Sequence, residues 1–174
     1  PPMPPKLDTT ISSLGTCRHP SPLALNTIRG DGIRNFISDQ TRIRYEVEIP
    51  PDAPPDNETF FERAGPREHL FYDPARIRAA IVTCGGLCPG INNVIRSVFL
   101  EFYHNYRVRD ILGIRHGFRG LTARGEPPLK LSPDLVEDIH RDGGSILSSS
   151  RGKQDTAEMV DFLLAQGINI LVCI

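Results

Sequence analysis

The architecture of this chain is predicted by one segment, which reads Ala79-Ala80-Ile81-Val82-Thr83-Cys84-Gly85-Gly86-Leu87-Cys88-Pro89-Gly90-Ile91-Asn92-Asn93-Val94-Ile95-Arg96. It begins as an apolar run, continues as a glycine-rich turn and then takes up a helical pattern. A strand, a glycine turn and a helix in this order are typical of a parallel α/β sheet with a phosphate-binding turn. Glycine lets the backbone approach a ligand closely, and a helix N-terminus presents unpaired N–H groups with a partial positive charge.

The residues that follow continue the alternation of helices and strands. An apolar stripe with helical spacing, from Ile91 to Phe102, predicts a helix that runs to about Asn105. Strands that alternate with helices in this way predict an α/β fold with a parallel, Rossmann-like sheet. The later predicted elements are a strand at 108–114, a helix from Ser132-Pro133 to 143–144, a very short strand at 145–147, a helix after Asp155 with Val160, Leu163 and Leu164 facing inward, and a buried strand at 168–174.

Residues 1–75 differ from the rest and are predicted to form a largely irregular N-terminal extension. Prolines at positions 1, 2, 4 and 5 remove backbone donors and oppose helix formation. Alternation of apolar and charged residues predicts one strand near 43–49 with one solvent-facing side. Residues 76–174 are predicted to be a nucleotide-binding α/β domain. Because its last buried strand reaches residue 174 with no loop after it, we expect a partial domain, truncated at its C-terminal end.

Composition excludes several classes of function. The formal net charge is -1, which gives no global basic field for nucleic acid. No apolar run approaches the roughly 18 residues that a membrane span needs, and the N-terminus does not resemble a signal peptide. We therefore expect a cytoplasmic protein by default, with a plastid open for a plant source. Cys17, Cys84, Cys88 and Cys173 are expected to be reduced rather than paired in two disulfides.

Three short polar loops follow predicted strands, at Gly85-Gly86, Gly117-Phe118 and 150–152. Ligands of parallel α/β sheets bind beyond the carboxyl ends of the strands, so these loops are expected to converge on one edge. The first loop matches the Gly-x-x-x-x-Gly of a Walker A motif but lacks its Lys and Ser/Thr. Arg151, beside Gly152, suits a phosphate. The structural alternatives are a tight turn without a ligand, a surface Arg and a core anchor for Phe118.

These loops carry a family resemblance. The first, Cys84-Gly-Gly-Leu-Cys-Pro-Gly-Ile-Asn-Asn-Val-Ile-Arg96, is similar to the N-terminal signature of the phosphofructokinases. Gly113-Ile-Arg-His-Gly-Phe-Arg-Gly-Leu121 and Gly143-Gly-Ser-Ile-Leu-Ser-Ser-Ser-Arg-Gly152 resemble the next two blocks, in the same order and spacing. The Cys-Gly-Gly-Leu-Cys-Pro-Gly form, with Arg63-Ala-Gly-Pro-Arg67 upstream, resembles the ATP-using plant and trypanosome-like branch, which is related to the pyrophosphate-dependent enzymes.

The resemblance implies the nucleotide-binding portion of a glycolytic kinase. It would transfer the γ-phosphoryl group of ATP to O1 of fructose 6-phosphate, with Mg²⁺. Gly85 and Gly86 would lie under the nucleotide phosphates, Phe118 would lie near the adenine, and Arg151 and Gly152 would contact the nucleotide. Glycine loops with an Arg and Mg²⁺ suit a reaction that depends on positioning and charge neutralisation.

The resemblance also implies what we expect this sequence to lack. The family's metal-binding Asp, its catalytic base and its fructose 6-phosphate site would follow residue 174, so the sequence is expected to be an N-terminal fragment, inactive alone, of an enzyme that forms homo-oligomers. Two alternatives stay open: a pyrophosphate-dependent fructose 6-phosphate 1-phosphotransferase, and a noncatalytic nucleotide-binding regulatory subunit. The residue after the metal-binding Asp would separate the first, with Gly favouring ATP, and absence of the base in the full sequence would identify the second.

Overall fold

A computed structural model of the chain describes residues 7–48, 51 and 59–174. The chain divides into two compact units, Pro1–Phe71 and Tyr72–Ile174. The predicted proline-rich start at residues 1–5 lies outside the described residues.

The first unit contains two short antiparallel strand pairs. Arg67, which is largely buried, holds its loops together by donating to the carbonyls of Ile37 and Ser38 and by pairing with Glu62. Strand β1 pairs with β4 and β2 with β3, where β1 is His19–Pro20, β2 is Arg42–Arg44, β3 is Phe60–Glu62 and β4 is His69–Leu70.

The strand predicted near 43–49 is shorter and more exposed to solvent than expected. Among the described residues of this stretch, Arg42–Arg44 forms the strand, paired with the three residues of β3. Ile43 is half exposed and Val47 is 89% exposed, so the apolar side of the alternation is not buried. Position 49 lies outside the described residues.

The second unit is built on a four-stranded sheet in the order β7-β6-β5-β8. The central strand β5 pairs in parallel with both β6 and β8, while the edge strand β7 is antiparallel to β6. The α/β parallel-sheet prediction is therefore confirmed. The strands are β5 Arg78–Val82, β6 Asp110–Ile114, β7 Leu129–Lys130 and β8 Ile170–Cys173, and the helices are α1 Ile91–Leu100, α2 Pro133–Val136 and α3 Thr156–Ala165.

Helices cover both faces of this sheet. Ala79 and Ile81 of β5 belong to one apolar cluster with α1 and α2, while Ala80 and Val82 belong to a second cluster, against which α3 packs. All four side chains are fully buried, as a continuous apolar run predicts for a strand covered on two sides. Helix α1 passes into a π-helical turn, Glu101–Asn105, so the predicted end near Asn105 is also confirmed.

Four predictions about the later elements are wrong in detail. The strand predicted to be buried at 168–174 is β8, an edge strand of the described sheet, whose residues are half-buried or, at Cys173, exposed. The predicted strand at 145–147 is a turn, in which the Ser148 N–H donates to the Ser145 carbonyl and Ser148 adopts a φ of 55°. Helix α2 ends at Val136 rather than near 143, and a 3₁₀ turn, Ile139–Arg141, follows it. On α3, the inward face is formed by Met159, Phe162 and Leu163, whereas Val160 is half exposed and Leu164 is 71% exposed.

A charge cluster holds the end of the sheet opposite to the predicted functional edge. Arg78 pairs with Asp110 at 2.5 Å and donates to the Gln166 carbonyl, and Lys130 pairs with Asp110 from the other side. Partial burial raises the pKa of the Asp110 carboxyl, but the hydrogen bonds and charges of Lys130 and Arg78 outweigh it and lower that pKa below its ordinary value.

Candidate nucleotide-binding site

The candidate site lies in the second unit, at the carboxyl ends of β5 and β6. Because the two strands are parallel and in register from Arg78↔Asp110 to Val82↔Ile114, the turns that follow them leave the sheet at the same edge. The turn after β5 leads into α1, whose N-cap is Gly90 with a φ of 86° and no side-chain cap. No capping side chain thus accepts a hydrogen bond from the first amides of α1, as in helix termini that bind anions.

The third predicted loop is tied to the other two by serine hydroxyls. Ser149 Oγ donates to the Gly85 carbonyl at 2.8 Å, and Ser150 Oγ donates to the His116 carbonyl at 2.6 Å. The His116 N–H in turn donates to the Leu147 carbonyl at 2.7 Å. The structure therefore brings the three loops together on one edge, as the sequence predicted.

Two buried polar side chains, which the sequence reading missed, position that third loop. Thr83 is 1% exposed, and its Oγ1 donates to the Ser148 carbonyl at 2.5 Å and lies 3.1 Å from Ser145 Oγ. Asn92 is 2% exposed, and its side chain donates to the Asp142 carbonyl and accepts from the Ile146 N–H at 2.9 Å. A polar residue closing a buried strand and an amide in the first turn of a helix are the signals that could have drawn attention to them.

The glycines of the site differ in whether the surrounding structure requires glycine at their positions. Gly117 has a φ of 59°, and a Cβ there would lie 3.2 Å from both the Thr83 carbonyl and the Ser150 amide, so this glycine lets the three loops pack closely. Gly152 has a φ of 110°, a conformation that other residues rarely adopt. Gly86 has neither feature, because its φ is outside the left-handed region and no protein atom lies within 4 Å of a built Cβ. The described residues therefore give no packing or backbone reason for glycine at position 86.

The two side chains expected to touch the nucleotide lie in different surroundings. Arg151 is exposed, and its guanidinium has no hydrogen-bond or ion-pair partner in the part of the chain that the structure describes. Phe118 is partly buried and packs against the apolar cluster that α3 also contacts. Phe118 therefore has at least the core-anchoring role that was its structural alternative.

Other chemistry at this edge is limited. Within residues 7–48, 51 and 59–174, no three His, Cys, Asp or Glu side chains are grouped so that they could hold a metal ion. All four cysteines are free. Burial raises the pKa of Cys173, and Cys84 raises it further, so this thiol stays protonated at neutral pH.

No described helix is both long and apolar enough to cross a bilayer.

Comparison with known proteins identifies the family. The phosphofructokinase family model matches residues 78–174, which include all three loops. This chain belongs to the phosphofructokinase family. The resemblance predicted from the three sequence blocks is thus confirmed.

Several phosphofructokinases are similar over most of this chain. An ATP-dependent 6-phosphofructokinase of Amycolatopsis methanolica is 44% identical, over 96% of this chain and 37% of its own length. One of Borreliella burgdorferi is 40% identical, over 95% of this chain and 37% of its own. ATP-dependent 6-phosphofructokinase 1 of Arabidopsis thaliana is 40% identical, over 87% of this chain and 31% of its own. The chain therefore spans about a third of the length of these relatives.

Proposed function

We propose that this chain supplies the ATP-binding part of a 6-phosphofructokinase, which transfers the γ-phosphoryl group of ATP to O1 of fructose 6-phosphate in glycolysis. The observation that carries the proposal is the pair of serine hydrogen bonds that joins the loops at Gly85, His116 and Ser149-Ser150 on one sheet edge. The relatives named ATP-dependent 6-phosphofructokinase support ATP rather than pyrophosphate as the donor.

In this proposal, each loop has a separate task. The backbone of Gly85 and Gly86 approaches the phosphates, because open space surrounds position 86, and the uncapped amides of α1 add a partial positive charge. Arg151 adds a full charge and a fork of donors, with Gly152 beside it. Phe118 contacts the adenine with the part of its ring that remains exposed beside the apolar cluster.

The remaining requirements of the reaction fall to residues other than those described here. We propose that the magnesium ligands, the catalytic base and the fructose 6-phosphate site lie in further parts of the protein, and that the whole enzyme is a cytoplasmic homo-oligomer. The chain alone is then expected to bind ATP without transferring its phosphoryl group.

Calorimetric titration of the chain with ATP tests the proposal. Replacing Arg151 by Gln removes one charged donor, and we expect the ATP affinity to fall about tenfold or more, since a hydrogen bond to a charged group contributes about 1.5–3 kcal/mol. Lys153→Gln removes an exposed charge two residues away and should change the affinity far less. Equal effects of the two substitutions, or full ATP affinity in Arg151→Gln, would refute the role of Arg151. Absence of saturable ATP binding by the unmodified chain would refute the proposal itself.

A further inference from the structure

The loop after β6 carries a cationic pocket that is lined by none of the residues proposed to contact ATP. His116, Arg119, Arg124, Gly125 and Glu126 line this pocket, which has a volume of about 220 Å³. We propose that it binds a compact oxyanion with the size and charge of a phosphate group. No residue of the Arg151 loop lines this pocket, and the proposal does not depend on whether Arg151 binds ATP.

The backbone of the loop is closely packed, so the pocket has a defined shape. A Cβ at Gly120 would lie 2.1 Å from the Arg115 carbonyl oxygen, and a Cβ at Gly125 would lie 2.8 Å from Gly120 Cα. Only glycine permits these approaches, because other residues would collide with backbone atoms rather than with movable side chains. Leu121 anchors the loop by its almost complete burial.

Thr122 spaces the two arginines of the pocket. It is 3% exposed, its Oγ1 donates to the Arg119 carbonyl at 2.8 Å, and the same oxygen accepts from the Arg124 N–H at 3.3 Å. The next residue, Ala123, is held by Glu158 of α3, whose carboxylate accepts from the Ala123 N–H at 2.8 Å. The backbones of Arg119 and Arg124 are thus fixed while their side chains are exposed.

The charges of the pocket do not cancel. Glu126 is its one lining carboxylate, and both oxygens are occupied, one by Arg115 at 2.5 Å and the other by His116 Nε2 at 3.1 Å. The guanidinium groups of Arg119 and Arg124 have no hydrogen-bond or ion-pair partner among the described residues. Two unneutralised arginines beside one pocket form a pair of fork donors, which is the arrangement that suits the several oxygens of a phosphate.

The proposal is tested on the 174-residue chain, without nucleotide, by calorimetric titration with inorganic phosphate and, in a second arm, with methyl phosphate. Arg119→Gln and Arg124→Gln should each weaken binding about tenfold, as expected for loss of one charged donor. Arg76→Gln is the matched control, because Arg76 is exposed in the Pro74–Arg76 turn that precedes β5, at the other end of the strand. Its phosphate affinity should be unchanged.

The two arms distinguish the source of the oxyanion. Binding of phosphate alone assigns the pocket to the free ion, whereas binding of both assigns it to the phosphate group of a larger metabolite whose ester oxygen stays outside. The proposal would be overturned if neither probe showed saturable binding. So would binding that survives both arginine substitutions, or binding that Arg151→Gln abolishes while Arg119→Gln does not, since the anion would then occupy the proposed ATP site.

Discussion

Gly86→Ala separates a ligand-related glycine from a structural one. Its φ lies outside the left-handed region, and no protein atom lies within 4 Å of the position that the new Cβ would take. The folded chain should therefore accept alanine without strain. Because alanine also reduces the conformational freedom of the unfolded chain, we expect the free energy of unfolding to rise by about 0.4–1 kcal/mol. For a chain of this size, such a change corresponds to an increase in Tm of roughly 1–4 °C.

The expected effect on ATP is opposite in sign. A phosphate oxygen accepts from a backbone amide at about 2.9 Å, and a methyl group projecting into the same space prevents that approach. Loss of one charge-assisted hydrogen bond weakens binding by about 1.5–3 kcal/mol, which is roughly 10-fold to 150-fold in Kd. Calorimetric titration gives the Kd, and thermal unfolding followed by circular dichroism gives the Tm.

Gly143→Ala is the matched control. Gly143 is exposed, it also lies outside the left-handed region, and its Cβ would also meet no atom within 4 Å. It should gain the same stability and keep its ATP affinity. The reasoning fails if Gly86→Ala binds ATP as well as the unmodified chain, or if it unfolds at a lower temperature than Gly143→Ala.

Three further substitutions test how the edge is built. Thr83→Val leaves the half-buried Ser148 carbonyl without its donor. We therefore expect denaturant unfolding to show a loss of about 1–3 kcal/mol and calorimetry to show a weaker ATP affinity, whereas Thr83→Ser should retain most of both. Gly113→Ala places a Cβ 2.4 Å from Leu147 Cδ2 and should cost about 1–3 kcal/mol on the same assay, and an unchanged unfolding midpoint would contradict it. Asp110→Asn should lower stability by about 1 kcal/mol at neutral pH. Because the pKa of Asp110 is lowered in the folded state, this difference should persist down to about pH 3.9 and be lost as the pH falls further, through the folded-state pKa; a pH-independent difference would contradict the assignment.

The parts of the fold that were predictable from the sequence depend on local pattern. The run at 79–82 is apolar at every position, and burial on two faces follows from that alone. The stripe along α1 likewise identifies the buried side chains Ile91, Ile95 and Phe99. For α3, the same reasoning misplaced Val160 and Leu164, because a helix with apolar residues on several sides does not reveal which side meets the sheet.

The details of the third loop depend on contacts that no local pattern contains. Ser145, Ile146 and Leu147 have an apolar centre, as a short strand would, and Leu147 is indeed fully buried. It is buried because Gly113 leaves room for it on β6. The long-range hydrogen bonds of the segment go to Thr83, Asn92 and His116, about 30 or more residues earlier, rather than to a neighbouring strand. A turn therefore forms where strand propensity alone predicts extension.

The position of Arg151 follows from the same long-range bonds. Its side chain has no partner among the described residues, so nothing in the described structure orients the guanidinium itself. The segment just before it is held by Thr83, which donates to the Ser148 carbonyl, and by the hydroxyls of Ser149 and Ser150, which donate to the carbonyls of Gly85 and His116. These hydrogen bonds thus place the loop, while the Arg151 guanidinium remains available to a ligand. An arginine with only a structural role would be expected to use its own donors within the protein, as Arg67 does in the first unit.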